Sequence, residues 1–314
     1  MENSKKIVIG IATYKRPKML EKALLSLSKI EKPDFVNIEV VVIDNDILGS
    51  AKNVVEKVRK NFPFRLHYDI EKRRGIPFAR NTIIKKAIKL NATELAFIDD
   101  DETVSKDWLI RLFSFYCKNE CECVTGPVIP ILPSGTSKWM ADLFIFFCTK
   151  KLPTGTQVSE AYTNNILFSM KVFTERNLRF DEKFALTGGT DTILTQKLTK
   201  QGGKIFWVNE ALVFETYPKS KVNFRWVFQR LIRYRFNLIE KSLVENGIVY
   251  TYFFSSLSFI KFFIYTIISF PLLIAGIFKP KLILKPVRYM ANTLAILYGL
   301  LGIKYEEYKK KHGY

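Results

Sequence analysis

Histidine and cysteine are scarce in this chain, with two of the former and four of the latter in 314 residues. The cysteines, Cys117, Cys121, Cys123 and Cys148, have a C-x3-C-x-C spacing that fits no standard zinc pattern, and His67 lies far from them in sequence. A structural metal is therefore not expected, and the thiols read as reduced and inert, as in a cytosolic protein. Both common phosphate cradles are missing too. No G-x-x-x-x-G-K-[ST] loop occurs and no G-x-G-x-x-G follows a predicted strand, which removes the usual grounds for a kinase, an ATPase or a dinucleotide enzyme. No internal repeat and no arginine-rich low-complexity arm are visible. Met1 to Lys6 is polar and runs straight into a predicted strand, which leaves no room for a signal peptide, so the soluble part is expected on the cytoplasmic face of a membrane.

What the chain has in excess is positive charge: 49 Lys and Arg against 30 Asp and Glu, a net +19. Such an excess self-repels in the compact state and draws a protein to nucleic acid, an anionic membrane or phosphorylated substrates. Over residues 5 to 125 strand and helix patterns alternate, which predicts an α/β fold with a mostly parallel sheet. The strands are Ile7 to Ala12, Ile38 to Ile43, Arg65 to Asp69 and a run ending at Asp99. The helices open at Pro17 and cover Ala51 to Asn61, Phe78 to Leu90 and Trp108 to Lys118. Val124 to Ile131, Thr163 to Val172 and Lys204 to Val208 read as further strands, and Asp191 to Gln201 as a helix announced by Thr187, Gly188, Gly189 and Thr190. Between them Pro133 to Thr163 accumulates Gly, Pro, Ser and Thr, as in a long loop over a site.

After residue 220 the character changes. Tyr252 to Phe278 is apolar apart from Lys261 and hydroxyl residues, and Tyr289 to Ile303 is a shorter apolar stretch. Two buried core helices are one reading. Aromatic density and the flanking Lys279, Lys281, Lys285 and Arg288 favour membrane anchoring. Two full crossings would leave those four cations away from the cytoplasm, against the positive-inside tendency, so a monotopic or re-entrant hairpin is expected. The chain thus divides into an α/β domain (1–220), a basic juxtamembrane helical segment (221–250) and membrane-associated helices with a basic tail at Lys309 to Lys311 (251–314).

Residues with chemical potential follow the predicted strands. Thr13 and Arg16 follow the first, Asp44, Asn45 and Asp46 the second, and Arg80 the third, after the basic run Lys72 to Arg74. Asp99, Asp100 and Asp101 end the fourth. Strand ends at one edge of a sheet converge on one crevice. Three adjacent carboxylates are tolerable when solvated or when a cation neutralises them, and magnesium is typically held by one or two carboxylates plus substrate phosphates. A nucleotide diphosphate with its metal suits the set, with Asp44 accepting from a base or ribose and Arg80 meeting a phosphate. An acidic turn, a turn-forming Asp44 and a helix-surface Arg80 are the plainer readings.

The segments I-A-T-Y-K-R-P (11–17), V-V-I-D-N-D (41–46), G-I-P-F-A-R-N (75–81), F-I-D-D-D-E (97–102) and G-G-T-D-T (188–192) together resemble the family 2 glycosyltransferases of GT-A fold. The resemblance covers residues 5 to 235. It implies an inverting transfer of a sugar from a nucleotide-sugar donor, UDP-linked as is commonest there, to a glycan or lipid-linked acceptor in cell-surface polysaccharide synthesis, with Mg2+ or Mn2+. By the same resemblance Asp44 contacts the base, and Arg80 lies near the base or diphosphate. Asp99 to Asp101 form the D-x-D element, with Asp101 the direct metal ligand and Asp99 at the ribose and beside the metal. Thr13, Arg16 and Asp100 join the donor side, and Asp191 is the general base. An acid in the first turn of a helix also stabilises its dipole, which is the structural reading of Asp191. The segment Val213 to Arg235, with Glu215, Pro218, Trp226, Arg230, Arg233 and Arg235, resembles the arginine-and-tryptophan segment on the acceptor or membrane side of bacterial exopolysaccharide transferases. Its basic helix reads as binding the diphosphate of the donor or of a lipid-linked acceptor, or as lying on anionic lipid, the reading favoured by the apolar region close behind it. Many of those transferases place a His near Glu215, and this chain has none there. Two other functions compete. One is a basic membrane-surface binding protein without catalysis; the other is a nucleotidyltransferase, although Thr13 to Pro17 lacks the glycine-rich loop it would need. Nucleic acid is not expected as a partner, because no reader motif accompanies the basic residues.

Overall fold

The computed structural model describes residues 5–148, 151–185 and 189–303, apart from the side chains of 146–148, 240, 241, 244 and 245. Thr187, Gly188 and the tail Lys309 to Lys311 lie outside the described residues.

The first half alternates as expected: β1 (Lys5–Thr13), α1 (Pro17–Leu27), β2 (Val36–Asp44), α2 (Lys52–Arg59), β3 (Arg65–Ile70), α3 (Ile76–Lys89) and β4 (Glu94–Asp99). Then come β5 (Glu102–Val104), α4 (Trp108–Lys118), β6 (Cys123–Thr125), β7 (Val128–Ile131), α5 (Lys138–Cys148), β8 (Gln157–Val158), β9 (Asn165–Ser169) and α6 (Lys171–Thr174). The chain continues through α7 (Thr190–Lys200), β10 (Ile205–Trp207), β11 (Val213–Thr216), α8 (Phe224–Asn246), α9 (Ile248–Ile268), α10 (Phe270–Gly276) and α11 (Pro280–Leu300).

Unbroken apolar runs form β1 and β2 because both faces of the sheet are covered. Ile7, Ile9, Ile11, Val40 and Val42 join one core, with Leu20, Leu24 and Leu27 of α1, Val55 of α2 and Trp108 and Leu112 of α4. The alternate residues Val8, Val41 and Ile43 join the other, with Ala79, Ile83 and Ile84 of α3 and Leu194 and Leu198 of α7. Eight strands run in the order β3-β2-β1-β4-β9-β6-β10-β8. β1 to β4 are mutually parallel, whereas β9 lies antiparallel between β4 and β6. A second sheet has the order β5-β11-β7.

Three expectations change. The loop expected over Pro133 to Thr163 contains α5 and β8. Ser137 Oγ accepts the Met140 N–H at 3.3 Å at the start of α5, and Leu143 and Phe144 bury behind it. The strand expected at Val124 to Ile131 divides into β6 and β7, in different sheets. Gly126 at the break has no room for a Cβ, which would stand 2.6 Å from the Ala211 carbonyl. The apolar run Tyr252 to Phe278 is likewise two helices, interrupted at Ser269 ahead of Pro271.

Two compact units result: residues 1–129 with 150–216, and 130–149 with 217–314. The second has its own core of Phe144, Tyr217, Val227, Leu231, Val287 and Ala291. Within it α9 has reversed polarity. Its buried residues are Thr251 and Ser255, and Ser242 of α8 shares a 2.8 Å hydroxyl hydrogen bond with Thr251. The exposed side is Phe253, Leu257, Ile260, Phe263, Ile264, Ile267 and Ile268.

Candidate functional site

Register places the strand ends together. Thr13 of β1 stands opposite Asp44 of β2, and Ala12 opposite Asp99 of β4. Hydrogen bonds draw the flanking loops onto this edge. Thr13 Oγ1 donates to Asp100 Oδ2 at 2.7 Å. Arg16, in the loop before α1, donates through Nη1 to Asp100 Oδ1 at 3.2 Å and Asp101 Oδ2 at 3.1 Å. Arg80 is buried in the second turn of α3, with its guanidinium over the Phe180 ring, and reaches Asp99 Oδ1 at 3.1 Å. Thr13, Arg16, Arg80 and the three aspartates therefore form one connected group.

Sequence reasoning missed Glu102, which closes the triplet from behind. It is buried, accepts the Asp99 N–H at 2.8 Å, and stands across from Glu215 in the β5–β11 pair. Burial, and then the charges of Asp99, Glu215 and Asp101, raise its pKa well above the ordinary value. Burial and then Asp101 raise the Asp100 carboxyl to about 7, although Arg16 and Thr13 oppose the shift. Carboxyl groups thus outnumber the guanidinium groups on this patch, and the excess invites a cation.

The donor set suits a hard cation brought by its substrate. Among the described residues no three His, Cys, Asp or Glu side chains form a metal-holding group by themselves. Asp99 and Asp101 supply carboxylate oxygens at the rim, and magnesium ordinarily completes its shell with phosphate oxygens and water.

Asp44, the residue read as the base contact, ends β2 within a set of internal hydrogen bonds. It is fully buried, and its carboxylate accepts from the Asp46 and Ala51 N–H groups at 3.0 and 2.8 Å and the Tyr68 hydroxyl at 3.1 Å. The neighbouring Asn45 fixes the entry to α3. Its side chain donates to the Glu71 and Arg73 carbonyls and accepts the Gly75 N–H at 2.8 Å. Gly75 has φ +140°, and a Cβ there would stand 2.8 Å from that of Ala185. Asn45 is among the residues the sequence places after the second strand, whereas Tyr68, 24 residues beyond Asp44, carried no sequence signal.

Asp191 lies in the first turn of α7 and is half-buried, its Oδ1 accepting the Thr192 N–H at 3.1 Å. Among the described residues no hydrogen bond or ion pair links it to the aspartate triplet. Trp226 and Arg230 belong to the second unit. Trp226 stacks on Phe144 at 5.3 Å and meets Tyr217 edge-on, and Arg230 lies over the Trp226 ring at 5.0 Å and donates to the Tyr217 hydroxyl at 3.4 Å. Arg233 follows on α8, half-buried.

Residues 8–177 match the pattern of the family described as glycosyl transferase family 2. The succinoglycan biosynthesis protein ExoM of Rhizobium meliloti (strain 1021) is 32% identical over 227 residues, 72% of each chain. In three dimensions the chain resembles S. aureus TarS 1–349, solved also with UDP-GlcNAc, at 18% and 17% identity and a TM-score of 0.53 in both cases. The match covers 72% of this chain, which spans 65% of that one's length. GalNAc-T7, solved with UDP, GalNAc and Mn2+, has the same TM-score at 18% identity, over 69% of this chain and 45% of its own. At these identities the structures speak for the fold alone, that of GT-A enzymes. The pattern over more than half of the chain and the identity to ExoM make this protein a member of glycosyl transferase family 2, an enzyme rather than a non-catalytic surface binder or a nucleotidyltransferase.

Proposed function

We propose that the enzyme transfers a sugar, with inversion, from a UDP-linked donor to a glycan or lipid-linked acceptor in the synthesis of a cell-surface polysaccharide. The observation that carries this reading is the convergence of Thr13, Asp44 and the aspartate triplet on one sheet edge, with Arg16 and Arg80 among the carboxylates. ExoM's part in succinoglycan biosynthesis supports the product class, and TarS bound to UDP-GlcNAc supports the donor.

In this reading Asp99 and Asp101 hold Mg2+ or Mn2+ jointly with the donor diphosphate, and Asp99 also meets the ribose. The cation supplies charge stabilisation to the departing nucleotide diphosphate. Arg80 and Arg16 orient the phosphates, Thr13 and Asp100 fix Arg16 on the donor side, and Asp44 contacts the base. Asp191 accepts the proton of the acceptor hydroxyl as its oxygen bonds to the anomeric carbon. The bond from that carbon to the phosphate oxygen breaks, and its electron pair leaves with the nucleotide diphosphate. Trp226, Arg230 and Arg233 belong to the acceptor or membrane side. The exposed apolar face of α9 supports attachment to the cytoplasmic face of a membrane. Among the described residues α9 is the one helix long and apolar enough to cross a bilayer, and a hairpin inserted from one side fits the cations Lys279 to Arg288 better than two crossings.

Asp191→Asn tests the assignment. Thermal stabilisation by UDP with manganese should survive, and transfer should fall by at least about a hundredfold, the low end for a lost general base. Retained turnover would exclude Asp191 as the base. Indifference of the native enzyme to UDP, GDP, CDP and TDP, with and without manganese, would remove the nucleotide-sugar reading.

A further inference from the structure

The C-terminal helices contain an arginine to which sugar transfer gives no task. Arg235 lies on α8, and its Nε is buried with no hydrogen-bond partner. Its guanidinium lies over the ring of Phe262 on α9, 5.2 Å from the centroid, and burial lowers its pKa. Among the described residues no carboxylate pairs with it. Withdrawing a charge from water is costly unless an opposite charge compensates, and a cation–π contact returns only part of that cost.

A second cation borders the far end of the same chain of rings. Phe262 meets Tyr289 of α11 at 6.1 Å, Tyr289 meets Tyr265 at 5.2 Å, and the Lys261 ammonium lies over Tyr265 at 5.7 Å. Ile260, Phe263 and Ile264 beside them are exposed and apolar. Tyrosine rings, an arginine fork and a long lysine among apolar neighbours are the groups that collect at the headgroup level of a bilayer.

We propose that Arg235, with Lys261 at the other end of these rings, seats the phosphate of an anionic lipid. A guanidinium binds phosphate through parallel N–H donors, so an arriving headgroup at the accessible part of the fork would compensate the half-buried charge. The apolar surround selects a phosphate that arrives on acyl chains over one free in water. The position of Lys261 fits the same depth, because a lysine near the middle of a fully crossing helix is strongly disfavoured. The inference rests on the membrane attachment proposed above and adds the chemistry of the lipid it prefers.

Sedimentation of the full chain with vesicles of phosphatidylcholine alone, or mixed with phosphatidylglycerol, tests it. The native protein should bind both and prefer the anionic vesicles. Arg235→Gln should weaken binding to anionic vesicles by about tenfold or more and leave phosphatidylcholine binding unchanged. Lys285→Gln removes an exposed cation elsewhere and should cost at most about fivefold, the ordinary worth of one surface charge. Should the glutamine variant fail to fold, Arg235→Met is read in the same way. Equal losses for the Arg235 and Lys285 variants, or an undiminished preference, would overturn the site. So would thermal stabilisation by millimolar inorganic phosphate that Arg235 variants abolish, since the seat would then serve free phosphate. A native protein that binds both vesicles alike would also remove this site and leave membrane attachment standing, whereas binding to neither would remove both.

Discussion

At the scale of residues, the hydrogen bonds that shape the cleft also set the protein's response to acid. Glu71, in the loop ahead of α3, accepts from the Arg73 guanidinium and backbone N–H and from the Thr82 hydroxyl. Burial pushes its pKa up, but these bonds outweigh it and hold the carboxyl down to about 2, against an ordinary 4.5. Between those values the unfolded chain binds a proton that the folded one refuses. The stability Glu71 contributes is therefore complete above pH 4.5 and disappears as pH falls through 2. Glu71→Gln should lower stability at neutral pH and flatten the acid limb between pH 4.5 and 2, as measured by urea unfolding at a series of pH values. The sequence placed Asp99 to Asp101 correctly at a strand end, because an apolar run that stops at charges is a local signal. It was silent on Glu71 and Glu102, whose roles arise from Thr82 and Glu215, partners that only the fold brings near.

Among the elements, α3 shows how a helix start is held in place. Gly75 precedes it in a backbone region closed to other residues, its N–H is taken by Asn45, and Pro77 stands in the first turn, where a missing N–H does no harm. Gly75→Ala meets both the unfavourable φ and Ala185, and should destabilise by about 2 kcal/mol and weaken binding of the nucleotide. Urea unfolding and a UDP titration read the two effects separately. The helices and the parallel strands were legible because each carries its own periodicity. β9 and α5 were not legible at their true extents. The five residues of β9 are all buried, so they show no alternation. The apolar run of α5 sits between Gly, Pro and Ser residues that read as loop, and its helix is completed by packing within the second unit.

For the molecule as a whole, the reversed polarity of α9 leaves an apolar face exposed, the face that the proposed membrane attachment would bury in lipid. Ile260→Ser with Ile267→Ser removes two exposed isoleucines, each worth about 1.5–3 kcal/mol when buried. The pair should weaken vesicle binding by on the order of a hundredfold, measured by flotation, and leave nucleotide stabilisation intact. The order of the large sheet has a different consequence, which falls during synthesis. β4 finds its outer partner only in β9, roughly seventy residues later in the chain, and at about 5–20 residues per second that is several seconds of translation. For that interval Leu95, Ala96, Phe97 and Ile98 present an unpaired apolar edge to the ribosome's surroundings, so chaperone capture of this protein should begin when β4 emerges and end once β9 has cleared the exit tunnel.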